Sequence, residues 1–262
     1  MNPLEMLGEH VEELIESLQH PALIVGANGW GLTNYFLWAI IIFIILLIVV
    51  FAAGKRLTLV PQNKFVSMVE YGYEFVRKDM AEGAIGHGFE KHVPFLATLF
   101  FFILIANFVG LIPGAKAATG TLGVTWALAI ISFVYFNYWG VKAHGGWGYI
   151  KAIAPSGLPK PLVPIVWFFE FVSLCLRALT LAVRLYGNMF AGHMVIGIFA
   201  ILTSVFIQAA IQNAAIATAL PAVAWMFFIL FMYALECLVA FLQAYVFTTL
   251  SAVYIGLATS SH

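Results

Sequence analysis

Residues 36–53 read FLWAIIIFIILLIVVFAA, an unbroken apolar run without a single charge. As a helix it is about 27 Å long, close to the ~30 Å hydrocarbon thickness of a bilayer. Inside hydrocarbon every backbone N–H and C=O must find a partner within the protein, which leaves only helices or closed barrels. A barrel strand alternates apolar and polar residues, whereas this run does not alternate, so it is read as a spanning helix. The rest of the chain agrees. Of 262 residues, 63% are hydrophobic and only 9% charged, against roughly 25% charged in soluble domains. The expected class is an all-α polytopic membrane protein whose natural solvent is the lipid bilayer. A net charge of zero gives no reason to expect nucleic acid as a partner. Cys175 and Cys237 fall in apolar segments and are expected to be small buried hydrophobes rather than a redox pair. The first residues are acidic rather than basic, so no removable signal peptide is expected.

About five membrane helices are expected, in one membrane domain covering residues 1–262. Leu4, Leu7, Val11, Leu14, Ile15 and Leu18 recur at helical spacing, predicting an amphipathic helix within an outer segment, residues 1–30. The first span covers about residues 33–53. Segment 54–91 carries Lys55, Arg56, Lys64, Arg77 and Lys78, which marks it as cytoplasmic and puts the N-terminus outside and the C-terminus in the cytoplasm. Within it FVSMVEYGYEFVRKDM, residues 65–80, is an amphipathic interfacial helix. Further spans follow at about 93–112 and 122–141. Residues 162–212 then stay largely apolar for a length of about 75 Å as a helix, so they either break near Gly187 and Gly192 or lie strongly tilted. With the segment from Pro221 to about residue 257 they are expected to form a long, tilted hairpin, residues 162–258.

That hairpin carries the chemistry. An arginine at mid-bilayer costs roughly 2.5–3.5 kcal/mol on translocon scales, so two of them need a reason. Arg177 and Arg184 are seven residues apart on one helix face, with Glu170 and Ser173 close to the same stripe and Asn188 one turn on. Glu236 and Gln243 are likewise seven apart on the last segment, with Tyr254 near that line. The charges could simply pair and hold a bundle together. Intramembrane ionisable groups more often mark transport paths and relays. Arginine stays charged and cannot carry the proton, but it favours the ionised form of a nearby carboxylate. Histidine and glutamate can exchange protons. Fixed cation and titratable flanks together point to proton movement.

SLCLRALTLAVRLYGNMFAGH, residues 173–193, followed by ALECLVAFLQAYVFTTLSAVYI, residues 234–255, closely resembles subunit a of F-type ATP synthases. The likeness runs from about residue 93 onward, includes ANFVGLIPG, and is most specific around R-L-Y-G-N and L-Q-A-Y. Residues 1–90 resemble the family mainly in layout. The resemblance implies that Arg184 is the arginine facing the carboxylate of a rotating c-ring and that Gln243 neighbours it. It implies that His193 and Glu236 line one proton half-channel, and that Asn188 follows the arginine. Glu170 and Ser173 match polar positions near the cytoplasmic half-channel, and Asn107 a polar site on the opposite path. Some relatives carry an acid three residues after the counterpart of Asn107, where this chain has Gly110, so the outer path is expected to lean on Glu236 and His193. His193, nine residues past Arg184, sits half a turn away on a straight helix and can share Arg184's face only if the helix bends.

The resulting expectation is a proton-translocating stator subunit of a rotary ATP synthase with two half-channels, not an enzyme on its own. Its partners would be the c-ring, b-type peripheral-stalk subunits and lipid. The location would be a bacterial inner membrane, with the mitochondrial inner membrane as the alternative. No cofactor or metal is expected: there is no Walker-type loop and no H-E-x-x-H, and His87 and His92 are poorly spaced for one helix face. The rival reading is a secondary transporter in which Arg184 binds a small anion. It would favour repeated halves, and none is visible.

Overall fold

The apolar run folds as expected into helix α1, Asn34–Gly54. Its surface is largely exposed, with Ile48 61% and Phe51 65% accessible, as suits a helix facing lipid. The structure is a computed structural model that describes residues 22–25, 31–55, 64–112, 115, 117–152, 161–213 and 220–259. The amphipathic helix expected over residues 4–18 lies outside these. Two short strands precede α1, β1 (Ala22–Val25) and β2 (Gly31–Thr33). They pair antiparallel, Val25 opposite Gly31. The sequence reading did not foresee them, although β-branched Ile24, Val25 and Thr33 suit a strand.

Helix α2, Lys64–Phe75, lies in the basic segment. It continues through a π-helical turn, Val76–Glu82, into Gly83–Ile85. A π turn inserts a residue into the helical count and re-aims the side chains beyond it. Here Val76, Met80 and Ala81 turn inward and are fully buried, whereas Val66 is the buried residue of the preceding helix. The opposite side is charged, with Lys78 bonded to Glu74 at 2.6 Å one turn away.

Helix α3, Val93–Gly110, starts with proline in its first turn, where the missing N–H costs nothing. It ends where Gly110 meets Ala117 so closely that a Cβ would collide. A short 3₁₀ turn, Ala118–Gly120, leads to helix α4, Leu122–His144. Gly145, at φ +75°, closes α4 in a conformation that favours glycine. Helix α5, Gly146–Ala152, follows in the stretch between the spans expected at 122–141 and 162–212.

The two long segments are single helices: α6, Val163–Asn213, and α7, Leu220–Thr259. α6 runs on through Gly187 and Gly192, so neither glycine breaks it. At about 76 Å and 60 Å, both fit a ~30 Å hydrocarbon layer only when inclined or with their ends outside it. Among the described residues five helices are long and apolar enough to cross a membrane. They are α1, α3, α4, α6 and α7.

In lipid the hydrophobic effect does not drive helices together, and small residues that let backbones approach do much of the work. Ala182 of α6 and Ala240, Ala244 and Ala252 of α7 are all fully buried. Around Ala182, Ala244 and Ala252 the core gathers Met80, Leu96, Ile103, Phe136, Leu185 and Ile255 from five elements. Cys175 and Cys237, expected to be buried, are both exposed and unpaired. They lie on outward faces of α6 and α7, where a thiol meets lipid as readily as any small apolar group.

Candidate functional site

α6 and α7 lie antiparallel, and three contacts mark their register. Toward the turn between them, Gly192 of α6 faces Glu236 of α7, and a Cβ built on Gly192 would collide with the carboxyl group. Midway, Gln243 Nε2 donates to the Arg184 carbonyl at 3.4 Å. Nearer the N-terminus of α6, the Arg177 guanidinium stands 5.2 Å from the centre of the Tyr254 ring. The two polar stripes seen in the sequence therefore do oppose each other along one seam.

Glu236 is 4% exposed, and its Oε1 has no hydrogen-bond partner among the described residues. Asn188 Nδ2 is buried in the same condition. A buried polar atom left without a partner costs about 1–3 kcal/mol.

His193 lies within electrostatic reach of that carboxyl. Its ring is fixed at both nitrogens by carbonyl oxygens, Nδ1 2.8 Å from Met189 O and Nε2 3.0 Å from Gly110 O. Both partners are acceptors. A neutral ring can donate to one of them and a protonated ring to both. The half-turn offset from Arg184 thus needs no bend: His193 turns to the end of α3 while Arg184 faces elsewhere.

Arg184 is exposed. Leu176, Leu179 and Val183 on the same helix are exposed too, as are Leu238 and Leu242 on α7. No ion pair among the described residues involves Arg177, Arg184, Glu170 or Glu236, so the idea that the membrane charges pair with one another does not hold there. Glu170 and Ser173 are half-buried on α6.

Asn107 is fully buried and ties two helices together. Its Nδ2 donates to the Ala240 carbonyl at 3.1 Å, and its Oδ1 accepts from Thr119 at 2.7 Å. It sits one helical turn of α7 from Glu236. Gly110 has no room for a side chain against Ala117, and its carbonyl serves His193 instead.

Sequence reasoning missed three contributors. Gly110 acts through its backbone oxygen and Gly192 through the absence of a side chain, and neither leaves a chemical signature. Thr119 lies between the spans expected at about 93–112 and 122–141. Among the described residues no group of three or more His, Cys, Asp or Glu side chains could hold a metal.

Comparison with known proteins shows the family. Residues 35–256 match the sequence profile of the family described as ATP synthase A chain. The chain is 38% identical over 245 residues to ATP synthase subunit a of Chloroherpeton thalassium, covering 92% of this chain and 70% of that one. It is 39% identical over 235 residues to the subunit of that name from a Nocardioides species, covering 86% and 81%. The family resemblance read from R-L-Y-G-N and L-Q-A-Y therefore extends along nearly the whole chain, and it lends no support to an anion transporter. The chain belongs to the ATP synthase subunit a family, membrane proteins of ATP synthesis and proton transport.

Proposed function

We propose that this chain is the proton-conducting stator subunit of a rotary ATP synthase, with Arg184 facing the carboxylate of a partner ring. The observation that carries the reading is the division of charge along one seam: Arg184 exposed on the flank of α6, and Glu236 buried against Gly192 beside His193. An exposed cation in an apolar belt suits a passing carboxylate, and a shielded acid beside an imidazole suits proton relay.

In this scheme a proton enters from outside by way of Glu236 and His193 and neutralises a ring carboxylate. The neutral site can then turn through lipid without the cost of burying a charge. It releases its proton at the cytoplasmic side near Glu170 and Ser173. Arg184 stays charged throughout, favours the ionised ring site and keeps the two half-channels from joining, while Gln243 holds the backbone behind it. Asn188 presents its amide one turn along, and Asn107 fixes α7 beside the entry route. A 100 mV potential supplies about 2.3 kcal/mol per proton, so several protons must combine for one ATP.

The chain does no ATP chemistry of its own in this reading. Its partners are the c-ring, b-type stalk subunits and lipid, and it acts as one membrane domain in a bacterial inner membrane. The basic residues of segment 54–91 favour an outside N-terminus and a cytoplasmic C-terminus.

The test is ATP-driven acidification of inverted vesicles bearing Arg184→Ala, with assembly followed on a native gel. An assembled complex that no longer pumps is expected. Undiminished pumping would overturn the reading.

A further inference from the structure

Arg177 has no task in that scheme, yet it carries the insertion cost of any arginine within an apolar helix. Its surroundings are aromatic rather than acidic. Tyr254 lies beneath the guanidinium at 5.2 Å, a cation–π arrangement that holds a cation without cancelling its charge. Among the described residues no carboxylate pairs with it.

The Tyr149 phenol on α5 is close enough to feel Arg177 electrostatically. α5 is docked firmly. Tyr149 Oη donates to Asn137 Oδ1 at 2.9 Å, and Asn137 Nδ2 in turn donates to Phe133 O at 2.7 Å. The Tyr149 ring also fills the space that a Cβ on Gly140 would need. One ring of α7 therefore lies against the cation of α6, and a phenol of α5, itself anchored to α4, stands within electrostatic reach of it.

We propose that Tyr149 is a positioning residue that holds Arg177 against Tyr254, so that an uncancelled positive charge stands on the cytoplasmic proton path and biases it toward release. The inference rests on the proton-conducting role proposed above. Arg177 lies about 10 Å along α6 from Arg184, on the side of Glu170 and Ser173. Among the described residues, few ionisable groups lie toward this end of the neighbouring helices. On α6 they are Glu170 and Arg184, on α7 Tyr254 and on α5 Tyr149. The end of α4 adds Lys142, engaged 4.5 Å over Trp139, and His144, bonded to the Gly140 carbonyl at 3.3 Å. A fixed cation among them makes a passing carboxylate harder to protonate from the cytoplasmic side. Pumping driven by ATP, which takes up protons there, should therefore fail at a lower alkaline pH than it would without Arg177.

The experiment is ATP-driven pumping by the complete complex in inverted vesicles, whose outer face is cytoplasmic, measured across a range of external pH. Arg177→Gln is expected to move the alkaline limb upward by about half a unit, the size due to one charge ~10 Å away at intermediate dielectric. Arg177→Lys is expected to hold the limb near its original position. Tyr149→Phe, which keeps the ring against Gly140, is expected to move it the same way as Arg177→Gln but less. A uniform loss of rate with no shift in Arg177→Gln and Tyr149→Phe would overturn the proposal, as would a shift in Arg177→Lys equal to that in Arg177→Gln. If Arg177→Gln fails to assemble on a native gel, an unshifted limb in assembled Tyr149→Phe is enough to overturn it. Failure of the underlying reading is distinguishable, because Arg184→Ala would then pump normally.

Discussion

The Glu236 carboxyl group occupies the place where a side chain on Gly192 would have to stand. The two residues belong to different helices 44 positions apart in sequence, and one methyl group is enough to separate them. Gly192→Ala must therefore push α7 away or turn the carboxyl out of its slot. Overpacking of this kind costs about 1–3 kcal/mol. The expected outcome is an assembled complex whose ATP-driven proton transport falls by roughly tenfold or more, the scale of a step disturbed by ~1.4 kcal/mol. Transport rates in vesicles check this, and an unchanged rate with unchanged heat stability would refute it.

Asn107 gives a stability prediction. Asn107→Ala removes the partner of the buried Thr119 hydroxyl and the link to the Ala240 carbonyl. Helix-to-helix hydrogen bonds in membranes are worth about 0.6 kcal/mol on average and up to ~1.7, so a loss of about 1–2 kcal/mol is expected for two. It should appear as a lower thermal midpoint of the detergent-solubilised complex. Asn107→Asp, which keeps the oxygen for Thr119 but no longer donates to Ala240, should lose part of the pumping as well.

His92 offers a pH dependence outside the spans. Just before α3, it is buried at 4% exposure, with Nδ1 3.2 Å from the Tyr135 hydroxyl and its ring edge-on to Trp139. Burial, and secondarily the charge of Lys91, holds its pKa below the ordinary histidine value of 6.5. Between that lowered value and 6.5 the unfolded chain binds more protons than the folded one, so stability rises with pH there. The contribution is complete above 6.5 and is lost as pH falls through the lower, folded value. His92→Gln should flatten this slope in a thermal-unfolding series, and an unaltered slope would show that His92 does not set it.

What could be read beforehand and what could not divides along physical lines. Arg177, Arg184, Glu236 and Gln243 announce themselves because charge and polarity are costly in lipid, and their seven-residue spacing fixes a shared face. The helix spans follow from apolar length alone. The direction of His193 did not follow, since its partners are carbonyl oxygens of Met189 and Gly110, and a backbone acceptor has no letter in the sequence. The π turn at Val76–Glu82 was equally hidden, because one extra residue per turn leaves the composition of an amphipathic helix unchanged. Tyr149 stands between expected spans, where the fit of its ring over Gly140 and its bond to Asn137 reveal that it is anchored.

One stretch of helix α7 is held at both of its ends. Asn107 grips the carbonyl of Ala240. About 24 Å further on, Gly256 lies so near the Ala84 carbonyl that a Cβ there would stand 2.6 Å from the oxygen. Gln243 and Tyr254 fall between these supports. A sideways load delivered to that stretch is therefore shared by two bearings, as on a beam rather than a cantilever, and a beam so held deflects little. Loosening either bearing would leave every residue of the seam in place at rest and let it yield only under strain.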